Sequence, residues 1–209
     1  MRRNLLVFAS GDAEGGGSGS EKLVERSKHP DSCIRIVGVV SNYKNGGVRK
    51  RADRLGIPFF YLPRSHQTAE GYQELVRVTG AEFVTLSGWL KLVVGLDPRT
   101  TFNIHPGPLP EFGNTFGHYT HEAVLAAFHR RELTHSAVTM HFVTEEYDQG
   151  PPFFVHRVPI NFDDTPGTLG KRVNAEEHFW QWQITEKVLL GEISWDGKDP
   201  ASLRGAIFN

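Results

Sequence analysis

Short apolar runs alternate with amphipathic stretches at a regular pitch through the first half of the chain, and this pattern restricts the fold more than any other feature of the sequence. Residues 4–9, 34–41, 58–62, 83–86 and 101–105 read as strands. Between them, residues 21–27, 47–55 and 68–79 carry helical spacing, with Tyr72, Leu75 and Val76 on one side of the last. Strand and helix alternating in this way predict an α/β protein with a Rossmann-like, doubly wound, mostly parallel sheet flanked by helices. Residues 137–142 and 153–160 are two further strands, separated by the acidic, Gly- and Pro-containing segment 143–152. Thr165-Pro166 then opens a long helix, with Thr165 as N-cap and Pro166 in the first turn, ending near Leu190-Gly191.

At 209 residues, with 39% hydrophobic and 22% charged side chains, the chain is sized for a single domain over residues 1–209. A net charge of −1 gives no electrostatic footprint for nucleic acid or an anionic membrane, so small-molecule partners are expected. The apolar run behind Arg2-Arg3 is shorter than the roughly 7–15 residues of a secretion-signal core. No run approaches the roughly 18 residues of a membrane span, and a cytoplasmic protein is expected. Cys33, the one cysteine, reads as a small packed strand residue. The basic run Arg49-Lys50-Arg51 reads as a solvated helix face.

Three places carry candidate chemistry. In Asn103-Ile104-His105-Pro106, strand alternation puts Asn103 and His105 on one face, and the prolines at 106, 108 and 110 make the strand open into a loop there. Glycines crowd residues 10–20, between the first strand and first helix, where α/β folds hold phosphates against a helix N-terminus. The loop matches neither the full dinucleotide fingerprint nor a P-loop. Thirdly, Asp148 closes the acidic segment Thr144-Glu145-Glu146-Tyr147-Asp148. A carboxylate near His105 would orient the imidazole and favour its protonated form, while Asn103 would donate to a developing oxyanion.

Together these segments resemble the folate-dependent formyltransferases, over nearly the whole chain. The resemblance is carried by Asn103-Ile104-His105-Pro106 with Leu109-Pro110, by His141-Phe142-Val143 leading to Asp148-Gln149-Gly150-Pro151, by Ser87-Gly88-Trp89-Leu90-Lys91, and by Glu176-Glu177-His178. It implies direct transfer of a formyl group from 10-formyltetrahydrofolate to the primary amine of glycinamide ribonucleotide in purine biosynthesis, through a tetrahedral intermediate, with no metal. Asn103, His105 and Asp148 would be catalytic. Folate would be bound by Leu90, Lys91, Leu92 and Val93, by Thr144, Glu145, Glu146, Tyr147 and Asp148, and by Asn103. Gly19, Ser20 and Glu21 would meet the nucleotide phosphate, although Glu21 stands where the family usually has a neutral amide. Glu176 and Glu177 would close over the amine substrate. The nucleotide-binding half would span about residues 1–100 and the folate-binding, catalytic half about 101–195, in a monomer or homodimer.

Three other readings stay open at this point, one of them a non-catalytic nucleotide-binding module marked by the altered glycine loop. An enzyme formylating an amino-sugar nucleotide shares the same motifs. A metal-dependent hydrolase is suggested by ten histidines and by His118 and His121, spaced i, i+3 at a helix start, with His105 or Asp148 as a third ligand.

Overall fold

The computed structural model describes residues 1–209. The strands are β1 (Arg3–Phe8), β2 (Ile34–Ser41), β3 (Phe59–Tyr61), β4 (Phe83–Ser87), β5 (Thr101–His105), β6 (His135–Phe142), β7 (Pro152–Pro159) and β8 (Ile207–Phe208). The helices are α1 (Ser18–Ser27), α2 (Gly47–Leu55), α3 (Ala69–Thr79), α4 (His118–His129) and α5 (Pro166–Leu189). All eight strands join one sheet in the order β3-β2-β1-β4-β5-β6-β7-β8. The first five pair in parallel, β5-β6 and β6-β7 are antiparallel, and β8 lies parallel to β7. The α/β, mostly parallel architecture expected from the alternating pattern is therefore present.

Strand order reverses between β1 and β4, because β2 and β3 lie to one side of β1 and the later strands to the other. That reversal opens a crevice at the carboxyl ends of β1 and β4. The larger apolar cluster on the sheet includes Leu5, Val7, Phe102, Ile104, Phe142 and Phe153 with Leu169, Val173, Ile184 and Val188 of α5. Phe142 and Phe153 rings lie 4.7 Å apart, and Phe102 is fully buried beside them. The opposite cluster packs Phe8, Tyr72 and Trp89, with the indole of Trp89 edge-on to Phe8 at 5.3 Å. Phe102 and Ile104 thus bind β5 to the core, which frees the other face of that strand for polar side chains.

Helix α5 starts as its sequence predicts, with Thr165 Oγ1 accepting from Thr168 N and Pro166 in the first turn. Helix α1 starts three residues earlier than its apolar periodicity indicates, at Ser18 instead of residue 21. Ser18-Gly19-Ser20 carries no apolar signal, but Gly17 adopts a left-handed conformation (φ 78°) that turns the loop into the helix. The terminal strand β8 escaped the sequence reading because two residues give no period to detect.

Candidate active site

A cavity of about 410 Å³ occupies the crevice, walled by the glycine loop, the end of β4, the end of β5 and the first half of α5. Asn103, His105 and Asp148 all line it. Register explains two of them: β5 pairs with β4 on one side and β6 on the other, so Asn103 and His105 point together from its polar face. Asp148 arrives from the β6-β7 connection with φ 55°, a left-handed conformation that Asp tolerates better than most residues and that is found at functional positions. Gly150 lets this connection close tightly, since a Cβ there would strike the Phe142 carbonyl.

Asp148 gathers the polar groups. Its oxygens lie 3.4 Å from His141 Nε2 and 3.7 Å from His105 Nδ1, and it accepts from the backbone N–H of Asn114 at 3.2 Å and from Asn103 Nδ2 at 3.5 Å. Burial pushes its carboxyl up, but hydrogen bonding from His141, the charges of His105 and His141, and the Asn114 amide outweigh that and hold it below the usual range. His105 behaves in the opposite way. Desolvation dominates and, assisted by His141, overrides the attraction of Asp148, so the imidazole is pulled down to about 4. This corrects the expectation of a protonated His105: at 3.7 Å, and with 3% of its surface exposed, a single carboxylate does not repay the burial of a charge. The ring rests neutral, with Nε2 buried and without a protein partner.

His141 carried no role in the sequence reading, although its motif was singled out. It stands opposite Asn103 across the β5-β6 ladder, an antiparallel pairing that strand periodicity alone cannot assign. Its Nδ1 lies 2.9 Å from the Phe142 carbonyl, and its Nε2 sits between Asn103 Nδ2, at 3.1 Å, and Asp148, at 3.4 Å. His141 thereby fixes the Asn103 amide, whose second N–H, 3.5 Å from Asp148, is the one free to turn toward a ligand.

The expected folate residues divide among neighbouring walls. Leu90 borders the main cavity, while Lys91, Leu92 and Val93 line, with Thr144, Glu146 and Tyr147, a narrow slot that Asn103 also borders. Glu145 lies further along, at a separate cavity with Val143 and Thr144.

Of the expected phosphate residues, only Gly19 lines the main cavity, together with Gly16, Gly17 and Ser18. The α1 N-terminus has no side-chain cap, so its first N–H groups are free to meet an anion. Gly19 is required there, because a Cβ would collide with Ser87 Oγ and Gln181 Oε1. Ser20 turns back to donate to the Gly17 carbonyl. Glu21 faces away from the cavity, paired with Arg51 at 3.2 Å and Arg54 at 2.7 Å. The Arg54 hydrogen bond holds its carboxyl low against the opposing effect of burial. The basic run is thus more than a solvated face: Arg51 also donates to Gly16 O, and Lys50 pairs with Glu14.

On α5 the two glutamates separate. Glu177 lines the cavity, and desolvation pushes its carboxyl up to about 7 despite a hydrogen bond from Asn174. Glu176 points elsewhere, accepting from Trp180 Nε1 at 3.2 Å and lying 3.3 Å from His156. Each residue step along a helix rotates the side-chain direction by roughly 100°, so adjacent glutamates cannot share a face. His118 and His121 both border the cavity, but His118 reaches Glu122 at 3.0 Å, and no group of three or more His, Cys, Asp or Glu side chains is arranged to hold a metal ion.

Several known proteins are similar to this chain. A chloroplastic phosphoribosylglycinamide formyltransferase from Arabidopsis thaliana is 34% identical over 206 residues, covering 93% of this chain and 68% of the relative. The phosphoribosylglycinamide formyltransferase of Bacillus subtilis is 27% identical over 196 residues, covering 90% of this chain and 95% of the relative. A crystal structure of glycinamide ribonucleotide transformylase 1 from Symbiobacterium toebii superposes with a TM-score of 0.82, at 24% identity and with 100% and 95% of the two chains covered; it shares the fold. The family model for formyl transferases matches residues 3–185, and the chain belongs to that family.

Proposed function

We propose that this chain transfers the formyl group of 10-formyltetrahydrofolate to the primary amine of glycinamide ribonucleotide. Support comes from the relatives, from the uncapped glycine-walled α1 N-terminus, and above all from one feature of the site. The Nε2 of His105 is buried without a hydrogen-bond partner, and His105 lines, with Asn103 and Asp148, the cavity that also holds that helix N-terminus and Glu177.

In this reading the phosphate sits on the N–H groups of Gly17, Ser18 and Gly19, and Glu177 accepts from the ribose hydroxyls. The amine nitrogen attacks the formyl carbon. The free N–H of Asn103 donates to the carbonyl oxygen as it becomes an oxyanion, the geometry in which preorganised donors contribute most. Neutral His105 takes the proton from the attacking nitrogen through Nε2 and passes it to the folate N10 as the carbon–N10 bond breaks. Asp148, 3.7 Å away, stabilises the imidazolium only while it exists. Tetrahydrofolate and the N-formyl product leave, and no covalent enzyme intermediate forms.

The donor's fused-ring head lies against residues 90–93 and 143–148. A cytoplasmic location accompanies this reading; no helix is long and apolar enough to cross a membrane.

The test offers 10-formyltetrahydrofolate with glycinamide ribonucleotide and, in parallel, with amino-sugar nucleotides or no acceptor, and follows tetrahydrofolate release. Turnover only with glycinamide ribonucleotide is expected. Turnover with the amino sugar alone would replace the acceptor, and release without any acceptor would point to hydrolysis.

A further inference from the structure

The glycine loop is held at one peptide plane by a side chain that stays outside the cavity. Gly16 and Gly17 line the crevice whereas Arg51 of α2 does not, and Arg51 Nη1 donates to the Gly16 carbonyl at 2.6 Å. The guanidinium therefore draws that carbonyl outward. Its Nε donates at 3.2 Å to Glu21, whose other oxygen is held by Arg54 at 2.7 Å. One side chain thus ties the residues just before α1 to the first turn of that helix.

The gripped peptide joins two glycines in left-handed conformations, with φ 93° at Gly16 and 78° at Gly17. A peptide plane flips by opposite changes in ψ of its first residue and φ of its second, and glycine at both positions removes the Cβ clashes that ordinarily resist this. Carbonyl and N–H point in opposite directions across a trans peptide, so a flip would swing the Gly16 oxygen away from Arg51 and toward the cavity side. An oxygen there would repel the phosphate that the α1 N-terminus attracts. We propose that Arg51 is a positioning residue for the acceptor: by holding the Gly16 carbonyl outward, it keeps the anion-facing side of the loop composed of N–H groups. This rests on the glycinamide ribonucleotide reading above. The neighbouring Lys50 carries the same charge but reaches only the exposed Glu14 carboxylate. Removing Lys50 therefore separates the general field of α2 from the grip on Gly16.

The Arg51→Met variant keeps an unbranched side chain and removes every donor. Its KM for glycinamide ribonucleotide is expected to rise about tenfold, the lower end of what a charge-assisted hydrogen bond is worth. Inorganic phosphate, read as a competitive inhibitor against that acceptor, weakens by the same factor. Both kcat and the KM for 10-formyltetrahydrofolate stay within about twofold of the parent, and Lys50→Met leaves all four quantities within about twofold. Arg51→Lys, which supplies one donor without the planar fork, raises the acceptor KM by about threefold. Thermal melting separates folding from binding, and if Arg51→Met does not fold, Arg51→Lys measured against Lys50→Met decides. An acceptor KM in Arg51→Met equal to that of the parent would overturn the assignment, as would equal rises in Arg51→Met and Lys50→Met, a matching rise in the donor KM, or, in the fallback comparison, parity between Arg51→Lys and Lys50→Met. A parent protein that turns over no glycinamide ribonucleotide would instead overturn the acceptor reading itself.

Discussion

The two ends of the crevice solve opposite electrostatic problems. At the β5-β6 end, three polar side chains are buried against each other, His105 and His141 at 3% and 2% exposed and Asp148 at 9%, and half-buried Asn103 joins them. There, desolvation decides, and it leaves one neutral imidazole beside one carboxylate. At the glycine-loop end, charge is plentiful but turned outward, with Glu21 neutralised by two arginines and Glu14 by Lys50. The anion site is left to backbone N–H groups. Chemistry at one end needs groups whose protonation burial can tune; binding at the other needs donors that do not titrate at all.

This contrast makes its largest prediction at the buried end. Asp148→Asn keeps the shape of the side chain but removes the charge that stabilises the imidazolium, so turnover falls by about two to four orders of magnitude. Folate and acceptor affinities, read by calorimetry, change little. Near-parental turnover would break the assignment of roles. His141→Ala comes next: it leaves the Asn103 amide unfixed and one Asp148 oxygen short of a partner, and lowers kcat by about 10- to 100-fold. A change in acceptor KM alone would place His141 outside the reaction.

Glu177 sits between the two ends and behaves as a buried group at a binding site. Burial raises its carboxyl to about 7, so it is protonated below that pH and ionised above it. Only the carboxylate accepts two ribose hydroxyl donors. The acceptor KM therefore rises as pH falls through about 7, and a pH series on Glu177→Gln shows no such inflection. An inflection that persists in the variant would assign it to another group. Smallest of all is Glu21→Gln at the outward-facing end. Loss of a partly screened surface pair lowers stability by at most about 1 kcal/mol, and acceptor KM stays within about twofold. A large KM change would return Glu21 to the phosphate site.

The same contrast explains what could be read from the chain. Asn103 and His105 were legible because a strand period of two is strict and the prolines mark where the strand ends. Strand and helix order were legible for a similar reason, since apolar periodicity reports burial directly. His141 was not, because its role depends on which residue of β5 lies across the ladder, and antiparallel register is set in three dimensions. Nor was Glu21, whose direction depends on α1 beginning at Ser18 and on α2 bringing Arg51 and Arg54 to meet it. Glu176 and Glu177 looked equivalent in sequence and are separated only by the turn of α5.

The central claim is direct transfer at the buried cluster, and a rapid-quench single turnover with isotopically labelled formyl folate and glycinamide ribonucleotide tests it most closely. The label should pass from folate to the acceptor amine with no protein-bound label at any time, and Asp148→Asn should hold both ligands while transferring at a small fraction of the parental rate. Label trapped on the protein, or released as formate while the acceptor stays unmodified, would contradict the account.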